Sequence, residues 1–318
     1  MALKNNFADR LIAEIDKKQN PSVVGLDTSF AKIPDFFKKD FMGSYELAFQ
    51  SASQAVYEFN KKIIDAIYDI VPCVKLQLAY YEELGDYGME AFKKTAYYAK
   101  TRGLLVIADA KRNDIGTTCK AYSSAFLGET DIFGSKRSVF DTDCLTVNGY
   151  LGYEGVEPFI KDCGAFGKGI FVLVKTSNPG SQEFQCLDTA SGLKIYQVMG
   201  NLVAEWGKSL IGEEVYSSVG AVVGATFPEE AKVLRSAMPN TIFLVPGYGA
   251  QGGTADDVMP CFNRDGLGAI VNSSRKIIFA FQGKNDDSNF ADYARQAAID
   301  MREDLRKALI KEDIYRWN

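Results

Sequence analysis

Not one of the 318 residues is histidine. That absence excludes Ser–His and Cys–His nucleophile pairs, HExxH zinc sites and histidine–carboxylate iron sites together. Any acid–base chemistry falls to Lys, Asp, Glu, Tyr or Cys. Basic charge is not in excess either: 36 Lys and Arg stand against 41 Asp and Glu, for a net charge of −5. This balance argues against a nucleic-acid-binding surface. No apolar run reaches membrane-spanning length, and the opening MALKNNFADRLIAEIDKKQN reads as a polar amphipathic helix, not a signal peptide. Cys73, Cys119, Cys144, Cys163, Cys186 and Cys261 form no CxxC pair, the pattern of reduced thiols in a cytoplasmic protein. No linker, repeat or low-complexity tract interrupts the chain, so one domain over residues 1–318 is expected.

What the chain does have is alternation. Ser22–Asp27, Cys73–Leu78, Gly103–Asp109, Cys144–Asn148, Gly169–Lys175, Ser218–Gly224, Thr241–Val245 and Gly268–Asn272 are apolar runs that predict strands. Helices are expected between them. One ends near Ile70, where Phe59, Ile63, Ile67 and Ile70 recur at helical spacing. Others cover Met89–Thr101, a stretch through about Leu127, Gly152–Lys161, Leu193–Lys208 and a segment opening at Pro228. The closing helix carries Phe290, Tyr293, Ala297, Met301 and Leu305 on one stripe. Eight strands alternating with helices predict an α/β fold, a single (β/α)8 TIM barrel, with an open doubly wound sheet as the runner-up. A helical insertion is expected at about residues 28–58.

The densest chemistry lies in Asp109-Ala-Lys111-Arg-Asn-Asp114, at the end of the third predicted strand. Strand alternation would put Asp109 and Lys111 on one face, with Asp114 opening the next helix. Charges there are costly to desolvate unless paired, which makes the cluster a functional candidate; the plain alternative is a polar strand-to-helix turn. Reactive residues of a barrel gather at the C-terminal ends of its strands, and Asp27, Lys75, Asp109 and Lys111 fall at such ends. Asp27 alone could cap a turn, but Lys75 interrupts an apolar run, between Val74 and Leu76.

A second constellation follows the last two strands: the turn Pro246-Gly-Tyr-Gly-Ala-Gln251-Gly-Gly253, and then Asn272-Ser-Ser274-Arg275. In TIM barrels these loops often bind phosphate through backbone N–H groups and a helix N-terminus, and Arg275 would add a bidentate grip. A glycine-rich surface turn is the alternative. Gly247, Gly249 and Gly252 also spell GxGxxG, but the next strand ends at Asn272, not at an acid. Six strand–helix units precede the motif as well, so NAD is rejected.

Six motifs in order, GLD, VKLQ, DAKRNDIG, VKTSNPGS, VPGYGAQGG and NSSRK, span about Val23 to Arg275. Together they resemble the orotidine 5′-phosphate decarboxylase family in its longer, bacterial-type branch. The resemblance implies a charged array of Lys75, Asp109, Lys111 and Asp114, the last reaching the neighbouring active site of a homodimer. It implies that Asp27 and Lys75 bind ribose hydroxyls and that Ile115 and Thr118 accompany Asp114 from the other subunit. Ser177 would bond the pyrimidine edge, and Pro246 would line the substrate. Gln251, Arg275 and nearby backbone N–H groups would hold the phosphate. Ser274 departs from the glycine of many relatives, a change that a backbone N–H contact survives.

The implied reaction is decarboxylation of orotidine 5′-monophosphate to UMP, with no cofactor and no metal. Loss of CO2 from C6 leaves a carbanion in the ring plane, and an ammonium beside it stabilises and then protonates it. Lys111 between two acids stays protonated, because adjacent anions favour the charged form. The implied partners are the nucleotide and a second subunit, with no nucleic acid and no membrane. An Mg²⁺-dependent sugar-phosphate decarboxylase or aldolase sharing the D-x-K-x-x-D hexamer is the alternative, which needs a further metal-ligating acid near Asp109. A non-catalytic nucleotide-binding barrel is a third possibility.

Overall fold

The computed structural model describes residues 6–43, 47–249 and 252–317. Its centre is a closed, all-parallel barrel of eight strands. These are β1 (Ser22–Gly25), β2 (Cys73–Gln77), β3 (Leu105–Arg112), β6 (Cys144–Val147), β7 (Gly169–Lys175), β8 (Ser217–Val223), β9 (Thr241–Val245) and β10 (Ala269–Ser273). The chain closes on itself where β1 pairs with β10, Val24 beside Ser273. Such strands are covered on both faces, which is why they read as unbroken apolar runs; all seven residues of β8 are buried.

Each expected strand is present, and β7 and β9 match residue for residue. β1 stops at Gly25, so Asp27 sits in the loop after it. β3 runs past Asp109 to Arg112 through a bulge: its pairing with β6 jumps from Ala108–Leu145 to Arg112–Val147. A hairpin of β4 (Thr130–Ile132) and β5 (Ser135–Arg137) was not anticipated. Its strands are three residues long and mostly exposed, so they carry no alternating apolar signal. The helix expected to end near Ile70 spans Ala48–Ile67. Short helices Phe30–Lys32 and Asp35–Lys39 lie in the expected insertion, where Phe37 packs edge-on against Phe290 of the closing helix Phe290–Lys311.

The opening helix, Phe7–Lys18, closes the N-terminal end of the barrel. Phe7 meets Phe171 edge-on, with ring centroids 6.2 Å apart. A Cβ at Gly169 would come within 2.2 Å of the Phe7 ring, so glycine is needed there. The Asn6 side chain donates to Leu210 O (2.7 Å) and accepts from Ser218 Oγ (2.6 Å). With this end plugged, the C-terminal end is left for a site. Among the described residues, no helix is long and apolar enough to cross a membrane.

Candidate functional site

Strand register builds the charged centre. β2 and β3 pair in parallel with Gln77 opposite Asp109, and β6 lies on the other side of β3. The Lys75 ammonium sits between Asp27 Oδ1 (3.0 Å) and Asp109 Oδ2 (2.9 Å). Gln77 Nε2 also donates to Asp109 Oδ2, at 3.0 Å. The other oxygen, Oδ1, accepts from Lys111 Nζ (2.7 Å) and Thr146 Oγ1 (2.9 Å). Asp109 therefore holds four donors, two of them ammonium groups.

Burial alone would raise the pKa of Asp109, but Lys75 and Lys111 outweigh it and hold this carboxyl well below the usual carboxylate range. Burial would likewise lower Lys75, yet Asp109 and Asp27 outweigh it and raise this ammonium above the ordinary lysine value. Both groups are locked in their charged forms. Behind Asp27 a buried chain fixes the loop: Thr28 Oγ1 donates to Asn60 Oδ1 (2.6 Å), and Asn60 Nδ2 donates to Tyr81 Oη (3.0 Å).

Asp109 and Lys111 meet as expected, but not by simple alternation. Lys111 stands in the left-handed region at φ 50°, within the bulge, and its N–H donates to Thr146 Oγ1 at 3.0 Å. From there its side chain turns back to Asp109 while staying 46% exposed to the cavity. A non-glycine residue in this conformation is a local strain that a functional position can retain.

One cavity of about 320 Å³ gathers Asp27, Lys75, Asp109, Lys111, Ser177, Pro246, Ser274 and Arg275. Leu173, Val222 and Leu244 add apolar wall from successive strands. At its far side Gly247 and Gly249 take φ of 100° and 76°, and Gly249 N–H donates to Gly253 O at 2.8 Å, which folds this loop tightly. The Arg275 side chain is exposed and has no ion pair among the described residues. A Cβ on Gly25 would lie 1.9 Å from Ser274 Oγ, so the bare backbone of β1 lets the Ser274 loop approach. Gln251 lies outside the described residues.

Asp114, Ile115 and Thr118 do not line the cavity of their own chain. Asp114 does not open the helix, which spans Gly116–Phe126; its Oδ1 instead accepts from Ile115 N–H at 2.8 Å. Ile115 and Thr118 are exposed. Beside them, Asn113 Nδ2 and Cys119 Sγ reach Gly155 O, drawing in the turn that bears exposed Tyr150, Leu151 and Tyr153.

Several cavity residues escape the sequence reading. Gln77 and Thr146 complete the shell of Asp109, and Thr176, Asn178, Tyr248 and Asn272 line the walls. Thr146 had a signal: a polar residue inside the buried run CLTV, on the strand next to Asp109. Asn272 stands in the NSSRK motif without an assigned role, and its Oδ1 is buried without a hydrogen-bond partner among the described residues.

Comparison with known proteins gives a consistent picture. The family model described as orotidine 5′-phosphate decarboxylase / HUMPS family matches residues 45–285. The orotidine 5′-phosphate decarboxylase of Caldicellulosiruptor bescii is 44% identical, over 96% of this chain and 99% of its own. That of Rhodopirellula baltica is 45% identical, over 94% of this chain and 99% of its own. Among solved structures, Leishmania donovani OMP decarboxylase superposes with a TM-score of 0.72 at 25% identity, covering 96% of this chain and 99% of that one.

Proposed function

The chain belongs to the orotidine 5′-phosphate decarboxylase / HUMPS family, and on that premise we propose that it converts orotidine 5′-monophosphate to UMP and CO2, the last step of de novo pyrimidine nucleotide synthesis. The observation that carries this reading is the ion-paired Lys75–Asp109–Lys111 array in a cavity that also offers Arg275.

The reaction breaks the bond between C6 and the carboxylate carbon, and the electron pair stays on C6. The Lys111 ammonium stabilises that developing charge and then gives C6 its proton; the amine regains one from solvent. Its half-exposed side chain faces the cavity, so it can reach a ring held there. Asp109 positions Lys111 and lies near the substrate carboxylate, where crowding of like charges is relieved as CO2 departs. Asp27 and Lys75 take the ribose hydroxyls, Ser177 takes the pyrimidine edge, and Pro246 packs on the substrate. Arg275, Gln251 and the backbone N–H groups near Ser274 hold the phosphate, whose binding energy closes the loops.

The enzyme acts without metal or cofactor and as a homodimer in the cytoplasm. Asp114, Ile115 and Thr118 complete the neighbouring active site. The exposed apolar side chains of Ile115, Tyr150, Leu151 and Tyr153 around Asp114 support that pairing. The Mg²⁺-dependent alternative is disfavoured by Asp109 itself, both of whose oxygens are already taken by ammonium groups. The test is the ultraviolet absorbance of orotidine 5′-monophosphate with purified protein, with and without EDTA. Decay to UMP that ignores the chelator is expected. Decay abolished by EDTA would favour the Mg²⁺ chemistry, and binding without decay would leave a nucleotide-binding barrel.

A further inference from the structure

Lys175 ends β7 with its side chain wholly buried. No carboxylate among the described residues pairs with it. Its Nζ donates to Ser181 Oγ at 2.9 Å, lies 3.5 Å from Cys186 Sγ, and stands 3.9 Å from the centroid of the Phe227 ring. An ammonium in such surroundings is costly to bury, and the fold gains no ion pair in return. The cost is understandable if the position of its partners matters.

Those partners belong to two neighbouring loops, the first of which borders the cavity through Thr176, Ser177 and Asn178. Ser181 and Cys186 lie after β7, and Phe227 lies after β8. Ser177 belongs to the first of these loops and is held against the second. Thr226 Oγ1 donates to Ser177 O at 3.0 Å, and a Cβ on Gly224 would fall 2.7 Å from Ser177 Cα. The loop after β7 is also tied at its base, where Thr176 N–H donates to Gln185 Oε1 at 2.9 Å. Lys175 touches both loops without lining the cavity.

We propose that Lys175 is a positioning residue for base recognition: its buried ammonium fastens the loop after β7 to the loop after β8 and so sets Ser177 against the pyrimidine. The inference rests on the assignment of Ser177 to the pyrimidine edge. It separates recognition of the base from recognition of the ribose phosphate, which the opposite side of the cavity performs.

Isothermal titration of Lys175→Met, Ser181→Ala and Ser177→Ala with UMP and with ribose 5-phosphate tests it. All three variants are expected to bind UMP about tenfold more weakly, the worth of one hydrogen bond, and ribose 5-phosphate unchanged. The Tm of Lys175→Met is expected to hold or rise, since an apolar chain of similar volume replaces a buried charge. Ser181→Ala removes a single hydroxyl and keeps the test available if Lys175→Met does not fold. Equal losses on both ligands, or no loss on UMP in Lys175→Met and Ser181→Ala while Ser177→Ala weakens it, would overturn the inference alone. Full UMP affinity in Ser177→Ala would overturn the Ser177 assignment, and the inference with it.

Discussion

The phenol of Tyr248 donates to Asp304 Oδ2 across 2.5 Å, tying the loop after β9 to the closing helix. Burial and the adjacent Asp304 both raise the Tyr248 pKa, so the phenol keeps its proton and the tie persists at neutral pH. Tyr248 also lines the cavity beside Pro246, so the anchor reaches from the protein's periphery to the cavity wall.

Tyr248→Phe removes this one hydrogen bond and little volume. KM for orotidine 5′-monophosphate is expected to rise on the order of fivefold with kcat nearly unchanged, because the loop loses its anchor while the charged array stays intact. Steady-state kinetics decide the point. A fall in kcat at constant KM would place the tie in the chemical step instead.

Lys111→Ala is expected to lower kcat by at least about a thousandfold while UMP still binds, since the proposed proton donor is lost and the half-exposed side chain contributes little to the fold. Asp114→Asn is expected to be impaired too, but for the neighbouring site. Mixing and re-equilibrating the two inactive variants should restore about a quarter of wild-type activity, because in the proposed homodimer half the dimers would be mixed and each would carry one intact site. A mixture as inactive as its parts would remove Asp114 from the partner's site.

Asp109→Asn leaves Lys75 with Asp27 alone and Lys111 without a carboxylate, and a loss of about 3 kcal/mol in urea unfolding is expected. The sign of its pH dependence follows from the directions of the shifts. The Asp109 pKa is depressed, so its stabilisation is present above the ordinary carboxylate value and is lost as pH falls through the depressed one. The Lys75 pKa is raised, so its share is present below the ordinary lysine value and is lost as pH rises through the raised one. The stability gap between wild type and variant should therefore be flat from about pH 5 to 9 and narrow in acid. A gap that changes across neutrality would mean that another group titrates in the array.

Arg235 supplies a control remote from the cavity. Its buried guanidinium donates to the carbonyl oxygens of Met238, Thr241 (2.8 Å), Gly268 (3.0 Å) and Cys261 (3.2 Å), over the face of Phe243. Arg235→Leu removes the guanidinium donors from all four carbonyls, of which Gly268 O and Met238 O keep the N–H groups of Phe243 and Thr241, and should cost about 3 kcal/mol in denaturant unfolding, with kcat of the folded fraction preserved. A stable variant would show that water replaces the guanidinium.

The barrel was legible because its signal is the strongest a sequence carries: buried parallel strands such as GIFVLVK and TIFLV are continuous apolar runs with sharp polar ends. Lys75, Asp109, Lys111, Ser177 and Arg275 were legible because charge and motif mark them at such ends. The rest depended on geometry that residue types do not encode. The bulge that turns Lys111 back is set by the pairing of β3 with β6, and the hairpin β4–β5 is too short and exposed to show a pattern. Lys175 read as a strand terminus, because nothing in its neighbours along the chain announces a buried cation bound across two loops.

The contact of Gly25 with Ser274 joins the first strand to the last, so the seam at which the barrel shuts is also the wall of the cavity that bears Arg275. A chain emerging from the ribosome acquires Asp27, Lys75, Asp109 and Lys111 early, but Arg275 and the seam come only with the final strand. Charges are in hand long before there is a grip. On the proposed assignment, competence thus arrives only with β10, and a chain interrupted before it would carry the reactive groups without the means to hold a nucleotide against them.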